Sequence, residues 1–189
     1  MEIKTERLIL RPWCDGDAES LYKFARDPRV GPAAGWPPHT SVENSLEIIH
    51  GVLSEPETYA VVLCETGEAV GSVGIMLAGH GGAPMLETEA EVGCWIGVPF
   101  WGRGLIPEAI EALTRRCFEK LALDGVWYGY YDGNEKSKRV SEKCGFVYHH
   151  TARGVISPTG DIRDEHFAYL TKKRWLERHS ATSENPSVQ

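Results

Sequence analysis

An apolar run, Glu91-Val92-Gly93-Cys94-Trp95-Ile96-Gly97-Val98, passes through Pro99-Phe100-Trp101-Gly102-Arg103-Gly104 directly into a helical pattern that starts at Leu105. Ile106, Ala109, Ile110, Leu113, Cys117 and Leu121 recur at helical spacing, with Glu108, Glu111, Arg115, Arg116 and Lys120 on the other side. Pro107 falls in the first turn, where a missing N–H costs nothing, and Asp124-Gly125 ends the helix before a strand over Val126 to Tyr131. A strand, glycine loop, helix and strand make a crossover unit, which is right-handed in nearly all proteins and sets its two strands parallel. The loop has chemistry of its own. Glycines let backbone N–H groups converge on an anion, and the helix N-terminus adds roughly half a positive charge. An anionic ligand is therefore expected at residues 102–106.

The flanking sequence places this unit in a mixed α/β sheet. Arg7-Leu8-Ile9-Leu10-Arg11 predicts a first strand within Ile3 to Pro12, and Asp15-Gly16-Asp17 caps a helix carrying Leu21, Tyr22, Phe24 and Ala25 that stops near Asp27-Pro28. After a Gly/Pro-rich loop with Trp36, Ser41 caps a second helix over Leu46, Ile49 and Leu53. Tyr59 to Cys64 and Ala69 to Leu77 flank Glu65-Thr66-Gly67-Glu68 and predict a hairpin. A glycine-rich excursion, Ala78 to Pro84, follows it. Asn134 to Cys144 predicts a helix stopped at Gly145, then strands at Phe146-Val147-Tyr148 and Glu165 to Leu170. Residues 1–178 are expected to form one domain and 179–189 a disordered polar tail.

Composition removes several classes of function. Five scattered cysteines without a CxxC pair suggest neither a disulfide framework nor a zinc site, and they are expected to be reduced, mostly buried thiols. Residues 1–7 alternate charges where a signal peptide would carry an apolar block, so a cytoplasmic location is expected. No apolar run is long enough to cross a bilayer, and a net charge of −7 argues against a nucleic-acid surface. Gly102 and Gly104 lack the third glycine and the later acidic residue of a dinucleotide fold, and no Gly-Lys-Ser/Thr follows as in a nucleotide hydrolase.

Trp101-Gly102-Arg103-Gly104-Leu105-Ile106-Pro107-Glu108-Ala109, followed by Asn134-Glu135-Lys136-Ser137-Lys138-Arg139-Val140-Ser141-Glu142-Lys143-Cys144-Gly145-Phe146, resembles the GNAT N-acetyltransferases. With Thr5-Glu6-Arg7-Leu8-Ile9-Leu10-Arg11-Pro12 it is similar to their RimJ/RimL-like, ribosomal-protein N-terminal acetyltransferase branch, up to about Leu176. The resemblance implies a GNAT fold: a central, mostly antiparallel twisted sheet of about seven strands with a splayed parallel pair, flanked by about four helices. It also implies acetyl-CoA as co-substrate and no metal. Trp95, Ile96, Gly97 and Val98 would meet the pantetheine arm, Trp101 to Ile106 the pyrophosphate, and Asn134 and Ser137 the same cofactor from the next helix. Trp101 and Ile106 stand where the wider family usually has Gln or Arg and Gly or Ala, and Ser141 stands where a tyrosine acid is often found.

Acetyl transfer needs a neutral amine, and the cost of neutrality at pH 7 is roughly 4.6 kcal/mol for a lysine but about 1.4 kcal/mol for an α-amine. Glu91 is the expected base, with an ordinary strand carboxylate as its plainer reading; Glu89 is the alternative. Ser141 is the expected proton donor, and Trp36 the expected acceptor contact. His149 and His150, adjacent on a strand, are expected to point to opposite faces and not to share a metal. The expected function is direct acetyl transfer from acetyl-CoA to a protein N-terminus or small-molecule amine, by a monomer or homodimer without nucleic-acid or membrane partners. The alternative is a catalytically inactive acyl-CoA-binding sensor domain.

Overall fold

The computed structural model describes residues 1–183, so part of the expected tail, 184–189, lies outside the described residues. Eight strands form one sheet: β1 (Ile3–Lys4), β2 (Leu8–Arg11), β3 (Thr58–Leu63), β4 (Ala69–Leu77), β5 (Glu89–Ile96), β6 (Gly125–Tyr131), β7 (Val147–Ile156) and β8 (Ile162–Thr171). Their spatial order is β1-β2-β3-β4-β5-β6-β8-β7, and every pairing is antiparallel except β5 with β6. The helices are α1 (Ala18–Ala25), α2 (Val42–His50), α3 (Leu105–Glu119), α4 (Glu135–Lys143) and α5 (Lys172–Ser183). This is the expected fold with one more strand, because the N-terminal segment breaks into β1 and β2, and one more helix, α5, which follows β8 directly and takes in residues 179–183 of the segment expected to be a disordered tail.

Each face of the sheet buries its own core. The apolar stripe of α3 (Ala109, Ile110, Leu113, Cys117) is fully buried against Val92, Val126, Tyr128 and Leu170. On the other face Leu21 and Ala25 of α1 and Ile49 of α2 cover Ala60, Val62 and Trp13. Strand alternation thus sends even-numbered residues of β5 and β6 toward α3 and odd-numbered ones toward the opposite side. Ser41 caps α2 as expected, its hydroxyl accepting from the Asn44 amide at 3.1 Å.

Two expectations need correction. All five cysteines are free, but only Cys117 and Cys144 are buried; Cys14 and Cys64 are exposed and Cys94 is intermediate. The pairing of β7 with β8 shifts register between Tyr148 and His150, and this bulge defeats strict alternation. The His149 and His150 rings therefore lie together on Trp127, at 4.9 and 6.0 Å between centroids, with their Nδ1 atoms 2.9 Å apart. No group of three metal-ligating side chains occurs among the described residues. No described helix is long and apolar enough to cross a membrane.

Candidate active site

The parallel ladder between β5 and β6 ends at Val92 and Tyr128, so the two strands part beyond that point. On its other edge β5 stays paired with β4 as far as Ile96, and the Gly97 amide donates to the Val70 carbonyl at 2.8 Å. Backbone alternation then turns the Ile96 amide toward the gap. The Ile96 carbonyl is taken by the Trp101 indole N–H at 3.0 Å, which fixes the exit of the chain from the sheet.

Gly102 and Gly104 both hold φ +75°, a left-handed conformation that side chains disfavour, and Gly104 is the N-cap of α3. A Cβ at Gly102 would meet nothing within 4 Å, and one at Gly104 only the Arg7 guanidinium at 3.6 Å. The first helical bond is donated by Glu108 to the Gly104 carbonyl, which leaves the amides of Gly104, Leu105 and Ile106 at the mouth of the helix. Leu105 and Ile106 bury their side chains in the core, so their contribution to a ligand is backbone alone. Arg103 is exposed, its guanidinium 5.2 Å from the Phe100 ring centre.

A cleft of about 500 Å³ opens from this loop. Its walls include Trp95, Ile96, Trp101, Gly102, Gly104 and Ile106 on one side and Asn134 and Ser137 on the other. Cationic side chains ring it: Arg29, Lys136, Arg139 and Lys143. Lys136 lies 4.2 Å from the Trp101 ring centre. On a chain of net charge −7, this clustering of cations marks a site for anions. At the floor, the Tyr128 hydroxyl links the Ser137 hydroxyl at 3.0 Å and the Cys94 thiol at 3.1 Å. Burial holds the Tyr128 phenol well above its usual range and pushes the Cys94 thiol up to about 11, so both keep their protons at neutral pH.

The remaining expected residues are distributed as follows. Asn134 caps α4 through its Oδ1, which accepts from the Ser137 amide at 3.2 Å, and its Nδ2 donates to the Ala33 carbonyl at 3.1 Å. Ser141 is buried outside this cleft; its hydroxyl donates to the Lys138 carbonyl at 2.8 Å, and it lines a separate cavity with Tyr130 and His166. Glu91 is 6% exposed on the face away from the loop, its Oε2 accepting the amides of Gly82 and Ala83 at 2.8 and 2.9 Å. Burial raises its pKa against the pull of those two amides. Glu89 is committed elsewhere, to Trp127, Tyr169 and the Leu86 amide. Trp36 packs edge-on against Trp95 at 5.6 Å, and Trp13 stacks on Trp95 at 6.4 Å, so the three indoles share the face that carries Glu91.

Two features escaped the sequence reading. Thr5 and Arg7 hold the first turn of α3: Glu108 Oε1 accepts the Thr5 hydroxyl and the Arg7 amide, Oε2 accepts Arg7 Nε at 2.7 Å, and Arg7 Nη1 donates to the Arg103 carbonyl at 2.9 Å. Tyr128, the floor of the cleft, reads in the sequence only as one more apolar strand residue.

A sequence profile described as the acetyltransferase (GNAT) domain matches residues 7–147. The chain is 36% identical over 90 residues to "Putative ribosomal N-acetyltransferase YdaF" of Bacillus subtilis, a match that spans 48% of this chain and 49% of that protein. It is 25% identical over 179 residues to "Uncharacterized N-acetyltransferase p20" of Bacillus licheniformis, covering 90% of this chain and 96% of that one. An acetyltransferase of the GNAT family from Bacillus anthracis superposes with a TM-score of 0.79 at 20% identity, over 92% of this chain and 99% of that one.

Proposed function

This chain belongs to the GNAT acetyltransferase family, and from that premise we propose that it moves an acetyl group from acetyl-CoA to an amine, either a protein N-terminus or a small molecule. The observation that carries the reading is the open glycine loop, whose helix-mouth amides and cationic rim adjoin the gap between two parting parallel strands. Acetyl-CoA supplies an activated thioester. Its pyrophosphate suits the amides of Gly104, Leu105 and Ile106 and the charge of Arg103. Its amide-bearing arm suits the gap-facing edge of Trp95, Ile96, Gly97 and Val98, with Asn134 and Ser137 opposite. The name of the Bacillus subtilis relative and the three ordered motifs support the RimJ/RimL-like branch, acting in the cytoplasm.

The residues divide the chemistry between two faces. The Ile96 amide is aimed to polarise the thioester carbonyl as charge develops on its oxygen. The Ser137 hydroxyl, bonded to Tyr128 on the cleft floor, serves as donor to the departing sulfur; Ser141, one turn further along α4, lines a separate cavity. Glu91 lies on the opposite face of the sheet, from which an amine would approach, and serves there as a carboxylate base.

Calorimetric titration with acetyl-CoA and CoA tests the donor site. Micromolar binding is expected in the wild type and its loss in Gly104→Glu, which sets bulk and negative charge in the loop. No binding by folded wild-type protein sinks the reading, and binding without turnover on an amine panel sinks its catalytic part.

A further inference from the structure

The face of the sheet away from the glycine loop carries a second constellation around the gap. Val92 and Tyr128 are the last paired residues, so Gly93 and Gly129 are the first positions beyond the parting on this side. Neither presents a side chain. A Cβ at Gly129 would lie 2.9 Å from Glu91 Oε1 and 3.1 Å from Glu165 Oε1, and one at Gly93 would meet only the Met76 methyl at 3.4 Å. Two carboxylates from different strands thus converge on bare backbone beside the gap. Glu165 arrives from β8, where it pairs with Tyr131, and Gly82 bounds it on the other side: a Cβ there would be 3.7 Å from Glu165 Oε2. Trp36 packs edge-on against Trp95, Gly35 lies close over the Tyr131 hydroxyl, and the Phe167 ring lies beside both glycines, 3.3 Å from a Cβ at Gly129 and 3.5 Å from one at Gly82.

The two carboxylates are held differently. Glu91 is clamped by the Gly82 and Ala83 amides through Oε2, with Oε1 left toward Gly129. Among the described residues no donor bonds the half-buried Glu165 carboxylate. Arg163, on the same strand, turns instead to Asp161, the Pro32 carbonyl and the Tyr131 ring. Burial and then the charge of Glu91 raise the pKa of Glu165, as expected of a carboxylate that lacks a cation.

We propose that the acceptor enters on this face of the gap, and that Glu165 selects ammonium groups whose neighbouring carbon bears no carboxylate. The inference rests on the acetyl-transfer reading and adds a substrate class to it. Two carboxylates and aromatic faces attract an ammonium group. A free amino acid would bring its own carboxylate within a few ångströms of that pair, and Arg163, the cation on the same strand, is already engaged with Asp161; a peptide N-terminus or a simple amine brings none. The ammonium gives one proton to Glu165, the freed nitrogen lone pair forms the C–N bond as the C–S bond breaks, and Glu91, the base, takes the second proton from nitrogen. The sulfur leaves as a thiol, and one proton per turnover reaches solvent, so an ammonium ion and a thioester become an amide, a thiol and a proton.

The experiment compares alaninamide with alanine and serinamide with serine, following CoA thiol release, with rates expressed per neutral amine. Acetyl-CoA affinity is titrated alongside in wild type, Glu165→Gln and Glu165→Asp. Wild type is expected to favour each amide by roughly tenfold or more in kcat/KM. Glu165→Gln should lose most amide activity and most of the discrimination while binding acetyl-CoA as the wild type does, and Glu165→Asp should recover part of both. Equal rates for amide and free acid, unchanged discrimination in Glu165→Gln, or no amide turnover by protein that binds acetyl-CoA overturns the inference and leaves the donor site standing. Failure to bind acetyl-CoA overturns both.

Discussion

Ser137 and Ser141 lie four positions apart on one short helix, close to one face of it, yet only the first reaches the cleft. Sequence spacing does not separate them. What separates them is the sheet beneath: Tyr128 of β6 bonds Ser137, whereas Ser141 sits over the junction of β6 and β8 beside Tyr130 and His166. Ser137→Ala is therefore expected to lower kcat by about tenfold to a hundredfold, as loss of a proton donor does. Ser141→Ala removes one hydrogen bond to a backbone carbonyl and is expected to cost about 1 kcal/mol of stability or less, with kcat within about twofold of wild type. Steady-state rates and thermal unfolding of the two variants check this contrast. Asn134 was legible for a different reason, since a cap is a local contact, and the same side chain also fastens residue 33 of the Trp36 loop.

The glycine loop was readable as an element because its chemistry is contained in contiguous residues: two left-handed glycines, a helix mouth, and a proline where no amide is needed. Its support was not. Glu108 reads in sequence as one residue of the helix's polar side, but in the structure it is the anchor for Thr5 and Arg7, a hundred positions earlier, and Arg7 bonds the loop carbonyl of Arg103 as well. That brace predicts that Arg7→Ala, without touching the ligand, weakens acetyl-CoA binding about threefold to tenfold, or ~0.7–1.4 kcal/mol. Gly104→Ala should act within the loop itself. A side chain at φ +75° is strained by about 1–2 kcal/mol even though the space around it is open, so either the loop shifts or the protein loses that stability. Calorimetry and thermal unfolding on the same samples separate the brace from the strain: Arg7→Ala is expected to lower affinity more than melting temperature, and Gly104→Ala to lower both.

The whole molecule decides what no segment shows, namely which carboxylates share a space. From sequence, Glu165 is one charged residue in a late strand; the sheet order β6-β8-β7 inserts that strand beside β6 and brings Glu165 to Glu91 over Gly129. Three other carboxylates, Asp17, Glu57 and Glu108, have cations. Burial raises Asp17, but a two-pronged Arg11 contact at 2.6 and 2.8 Å and the Cys14 amide outweigh it and hold the group below its usual range. Arg116 likewise lowers Glu57, and Thr5 and Arg7 lower Glu108 against burial. These three contribute stability above the ordinary carboxylate range of about 4, and it is lost as pH falls through their depressed values. Glu165 has the opposite sign. With its folded pKa raised, ionisation costs the native state stability at neutral pH, and that cost disappears as acid protonates the group in both states. Glu165→Gln is thus expected to melt slightly higher than wild type at pH 7–8, on the order of 1–2 °C for a half-exposed group, with the difference closing toward pH 4. Asp17→Asn is expected to melt lower at neutral pH and to converge on wild type from the other side. In activity, the acid limb of kcat/KM should fall above the ordinary glutamate range in wild type and shift in Glu165→Gln. A stabilised, less active Glu165→Gln protein would mark the carboxylate pair as kept for function at the expense of stability; a destabilised one would show that Glu165 holds the fold instead.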